Sequence, residues 1–139
     1  MYHHQNHHNE VIILFLRYNI FSLFFFLLIV FGCFLPGTNL PKARVENLDK
    51  VLHITLFFLF SFSSIIGFIK QSQFPKLHFD AVKNVVGIST IMAFSTETIQ
   101  HFFIARRSFD IWDIFADLIG ITLAFSFFLL VRGNKKCGF

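Results

Sequence analysis

The chain has 139 residues, room for one domain and not for a second globular one. Hydrophobic residues make up 55% of it, charged residues 14%, and phenylalanine fills 23 positions; a soluble domain carries about 25% charged residues, and a chain this small cannot hide so much apolar surface in one core. The net charge of +4, with no basic stripe interleaved with stacking aromatics, excludes nucleic acid as a partner and fits charges that flank a membrane.

Residues 1–17 form a polar, His-rich N-terminal tail around His3-His4 and His7-His8, expected to be disordered and at most an opportunistic metal binder. The first apolar run is Tyr18 to Leu35, stopped by Pro36-Gly37. It is longer than a signal-peptide core and lacks an A-x-A-like site, so it reads as a retained helix. The second run is Val51 to Ile69, stopped by Lys70; the third is Val85 to Ile104; the fourth is Ile111 to Val131, stopped by Arg132. About 20 apolar residues cross a bilayer core, and backbone in lipid must satisfy itself, so all four are predicted as transmembrane helices. The fold class is therefore all-α, a polytopic membrane bundle over 18–131, with a basic C-terminal tail at 132–139. The connection Ala105 to Asp110 is so short that helices three and four are expected as a tight antiparallel hairpin. Cys33 and Cys137 fall on opposite sides and form no disulfide framework.

Lys and Arg set the orientation. One side carries Arg17, Lys70, Lys76, Lys83, Arg132, Lys135 and Lys136 against Glu10 and Asp80; on the other, Lys42, Arg44, Lys50, Arg106 and Arg107 are balanced by Glu46, Asp49, Asp110, Asp113 and Asp117. Both termini are expected on the cytoplasmic side.

Helices three and four read as poor spans by hydropathy. Glu97, Gln100 and His101 interrupt the third, and Asp113 and Asp117 interrupt the fourth. Such residues are costly in lipid and usually face a bundle interior or a wet cavity. Glu97 and Asp117 lie at equal distances either side of Arg107, so a hairpin centred there sets both at about 10 Å below the outer surface. Asp49, Lys50 and His53 open helix two on the same side. The candidate polar site is thus Asp49, Lys50, His53, Glu97, Gln100, Arg107, Asp110, Asp113 and Asp117. Neighbouring carboxylates in low dielectric need a counter-charge, which Lys50, Arg107 or His53 would supply, or one of them takes up a proton.

Each residue also has a plain structural reading. Asp49 and Asp113 would cap helix N-termini, Lys50 and Arg106 would anchor at the interface, and His53 and His101 would be hydrogen-bonded packing residues. Ser61, Ser63 and Ser64 fit helix packing better than nucleophilic chemistry. Glu97, a carboxylate at membrane depth, is the hardest to explain without function. No nucleophile elbow or phosphate-cradling Gly loop is present, catalytic residues are not assignable, and no compact motif calls for a metal or another cofactor.

The segment L-D-K-V-L-H (Leu48 to His53) resembles the D-K-x-x-H opening of the VanZ-like family. E-T-I-Q (Glu97 to Gln100) is similar to its E-x-x-Q helix, and R-S-F-D-I-W-D-I-F-A-D-L-I-G (Arg107 to Gly120) to its R-S-x-D-x-x-D-x-x-x-N-x-x-G hairpin and last helix. Leu35-Pro36 also fits, so the likeness covers about Leu35 to Gly120. Asp117 stands where Asn is the more usual family residue, which adds an acid to the cluster. The resemblance implies a bacterial membrane protein in a cell-envelope setting, with a namesake linked to low-level tolerance of the glycopeptide teicoplanin.

Three functions remain open from sequence. A non-enzymatic envelope protein would use the cluster to hold the bundle together or to bind a lipid-linked or glycopeptide ligand at the outer leaflet, with Phe102, Phe103, Phe109 and Trp112 nearby. An intramembrane enzyme on a lipid headgroup or lipid-linked phosphate would use His53 and Glu97 as acid and base, with Lys50 and Arg107 clamping the anion. A proton or ion path is the third, disfavoured by the small number of helices and the lack of a half-helix repeat.

Overall fold

The computed structural model describes residues 2–33, 45–71, 77–103 and 110–134 of the chain. All its regular structure there is helical: α1 (Tyr2–Cys33), α2 (Val45–Gln71), α3 (Leu77–Phe103) and α4 (Ile111–Asn134). Among the described residues three stretches are long and apolar enough to cross a membrane: Ile13–Cys33, Leu48–Gln71 and Ile111–Arg132. A lipid bilayer is the environment these helices fit. α3 is not among them, because polar residues recur along it from Asp80 to His101.

The helices run longer than the apolar runs predict. α1 starts at Tyr2, so residues 2–17 are helical rather than a disordered tail. A helix already nucleated in an apolar run extends at one hydrogen bond per residue fixed, even through polar sequence. α2 starts at Val45, which puts Asp49 inside the helix and not at its cap. α4 is no poor span: its acids sit near its start, and no charged residue follows them until Arg132. α4 reaches Asn134, so the expected C-terminal tail begins within it; residues 135–139, with Cys137, lie outside the described residues. So does the turn between α3 and α4 up to residue 109.

α2 is the central helix and packs against the other three. One core cluster joins Ile29, Phe57, Phe60, Ala93 and Ile121; a second joins Ile65, Val82 and Val85. Between these apolar groups run small polar contacts. Ser22 of α1 meets Ser64 of α2, and Ser61 of α2 donates to Ser89 of α3 at 3.0 Å. Ser63 instead returns its hydroxyl to the Leu59 and Phe60 carbonyls of its own helix. Small residues and hydroxyl pairs hold helices together where lipid removes any hydrophobic drive.

Two glycines permit close approach. A Cβ on Gly67 would strike the Asn19 side chain and the Tyr18 carbonyl of α1. A Cβ on Gly120 would strike the backbone of Ile54 and Phe58, so α4 and α2 touch main chain to main chain there. That contact adjoins His53 on α2 and lies one turn after Asp117 on α4, and it sets how far apart those two side chains stand.

Candidate polar site at one end of the helices

The site begins with how α4 starts. Asp110 is its N-cap: its carboxylate accepts the Trp112 N–H at 2.9 Å, and its carbonyl accepts the Asp113 N–H at 3.1 Å. Asp113 therefore sits in the first helical turn, where an acid also favours the helix dipole, but it is not the cap. The N–H of Asp110 itself is another orphan donor, and Glu97 of α3 accepts it at 2.6 Å. In a capping box an acid of the same helix does this; here the acid comes from the preceding helix.

Lys50 of α2 closes the other side. Its ammonium lies 3.2 Å from Asp110 Oδ2 and 3.1 Å from Asp113 Oδ1. The ion is thus held by two carboxylates of the α4 entrance, and it ties α2 to α4. Burial opposes the charge on Asp110, yet the Trp112 N–H and the Lys50 ammonium outweigh it and hold its carboxyl below the usual carboxylate range.

One turn deeper, His53 Nδ1 lies 2.8 Å from Asp117 Oδ1. Asp117 is 1% exposed, so this carboxylate has almost no solvent to draw on and needs its partner. Glu97 and Gln100 are buried as well, at 3% and 4%. Asp49, His53 and Asp113 each bring one ligating atom within 4.8 Å of the others. Imidazole and carboxylate are ligand types for zinc and other divalent cations. Lys50 already engages Asp113 in that set, so an ion there competes with an ammonium.

The structure brings together Lys50, His53, Glu97, Asp110, Asp113 and Asp117, with Asp49 beside them. Arg107 lies outside the described residues. The pairing differs from the one expected for an acid–base couple: His53 partners Asp117, and Glu97 partners a backbone N–H. Spacing along a helix assigns a residue to a face but does not choose between acids on two facing helices.

Sequence reasoning passed over Asn19. It is 5% exposed, its amide donates to the Phe15 carbonyl at 3.0 Å, and its Oδ1 is buried with no hydrogen-bond partner among the described residues. The signal was present as a lone amide inside the first apolar run. Cys33 is also buried, its thiol 3.5 Å from the Thr96 carbonyl of α3.

No family model matches the chain, and no curated protein and no solved structure matches it.

Proposed function

We propose that the chain is a four-span, VanZ-like protein of a bacterial cell membrane, with both termini cytoplasmic, whose polar end binds a lipid-linked or glycopeptide ligand at the outer leaflet. In this reading α3 is the fourth span and forms a tight hairpin with α4. Its polar residues Ser89, Thr96, Glu97 and Gln100 are buried, while Ile88, Ile91 and Phe94 face outward. The outward hydroxyls of Ser95 and Thr98 donate to the Ile91 and Phe94 carbonyls of their own helix, as lipid requires.

The observation that carries the binding role is the Lys50 ammonium shared by Asp110 and Asp113. A lysine so neutralised does not serve as a phosphate clamp. Among the described site residues carboxylates outnumber cations, which favours ligand amines and hydroxyls over anions. Phe102, Phe103 and Trp112, exposed close by in sequence to this end, offer apolar contact to an amphipathic ligand. Expression in a glycopeptide-sensitive bacterium tests the reading. Raised teicoplanin tolerance and weaker surface labelling by the drug are expected, both lost with Asp113→Asn. Unchanged tolerance and unchanged labelling would overturn it.

The His53–Asp117 pair supports a second reading, an intramembrane enzyme acting on a lipid headgroup or lipid-linked phosphate. A buried carboxylate fixes the imidazole tautomer and leaves Nε2 to move a proton. Membranes from cells carrying the wild-type chain would then differ in lipid composition from cells carrying His53→Gln. Identical lipid profiles would remove this reading.

A further inference from the structure

A groove of about 290 Å³ runs between α1 and α2 at the end opposite the polar cluster. Arg17 and Lys70 stand on its lining beside Phe21, Phe62 and Ile66. Lys70 ends the apolar stretch that Lys50 begins, and at 1.5 Å per residue the two lie about 30 Å apart along α2, the thickness of a hydrocarbon core. Arg17 stands about one turn inside the start of the first apolar stretch, so both cations reach the same membrane–water boundary. Both are exposed, and no carboxylate among the described residues forms an ion pair with either.

We infer that this groove binds an anionic phospholipid, its phosphate between Arg17 and Lys70 and an acyl chain along Phe21, Phe62 and Ile66. Charge complementarity chooses the occupant. Two cations that form no ion pair among the described residues, set on an apolar groove, match a lipid that joins a net negative headgroup to hydrocarbon chains. A second copy of this chain, lying alongside in the same sense, brings to that end Asp80 among Arg17, Lys70, Lys83 and Arg132, so among the described side chains its charge there is net positive and does not complement the groove. The inference is independent of the ligand proposed for the polar end.

Native mass spectrometry of the full chain in a non-ionic detergent tests it, with phosphatidylglycerol and phosphatidylcholine of identical acyl chains as probes. Phosphatidylglycerol should bind more tightly, and the double change Arg17→Gln with Lys70→Gln should weaken it about tenfold and weaken phosphatidylcholine, whose own ammonium offsets its phosphate, by much less. Lys83→Gln, which removes an exposed cation of α3 outside the groove, should leave both unchanged. Ile66→Trp, which fills the groove, should weaken both lipids. On the wild-type chain the preference should shrink as salt rises. Equal binding of the two lipids, a loss with Lys83→Gln as large as with the double change, or a dimer forming in place of the lipid complex would each overturn the inference.

Discussion

Glu97 of α3 accepts the backbone N–H of Asp110 at 2.6 Å, across a separation of 13 residues in the chain. A buried carboxylate whose depth suggests function thus has a structural role, because it completes the cap of the next helix. Its removal leaves a helix-terminal donor without an acceptor, which costs about 1–3 kcal/mol. Glu97→Ala should therefore lower stability by that amount in a denaturation series followed by circular dichroism. Glu97→Gln keeps an acceptor oxygen and should lose less. Equal losses would show that charge, not the hydrogen bond, is what α4 requires.

Lys50 shares its charge between Asp110 and Asp113, so the three are coupled. Asp113→Asn alone should cost about 1 kcal/mol, since Asp110 still answers the ammonium and solvent screens that outer pair. Asp110→Asn with Asp113→Asn should cost more than the two singles added, because Lys50 is then stranded. Adding Lys50→Met to the double change should restore part of the loss. A strictly additive cycle would mean that the ammonium does not depend on this pair.

Gly120 lies against the Ile54 carbonyl, and a methyl group there meets main chain rather than a movable side chain. Gly120→Ala should cost about 1–3 kcal/mol, the usual range for overpacking, and Gly120→Leu more. The His53–Asp117 distance should grow with the separation of α2 and α4. A cross-linking or spin-label distance between those helices that stays constant in Gly120→Leu would contradict this.

Asp110 has its folded pKa below the ordinary value of 3.8. Its contribution to stability is complete above pH 3.8 and is lost as pH falls through the lower folded value. Thermal stability in detergent should decline over that acid interval. Asp110→Asn should be less stable at neutral pH and should decline less there. A wild-type profile that stays flat through that interval would count against the ion pair.

The apolar runs and their stops made four helices legible, because run length and interruption are local properties of the chain. The extent of α1 was not legible: polar residues 2–12 join a helix nucleated downstream. Nor was the cap of α4. Asp110, Asp113 and Glu97 were all candidates by type, and which of them meets which backbone N–H depends on where two helices cross.

Sequence alone determined that this chain suits lipid and that the acids interrupting its third and fourth apolar runs lie near one end of the helices. It also placed Asp113 and Asp117 on one face, since side chains four apart on a helix align. Tertiary structure decided the partners: Lys50 with Asp110 and Asp113, His53 with Asp117, Glu97 with a main-chain N–H. Those choices follow from the rotation of each helix about its axis and from the close contact at Gly120. A residue step turns a side chain by about 100°, so small differences in packing reassign every pair.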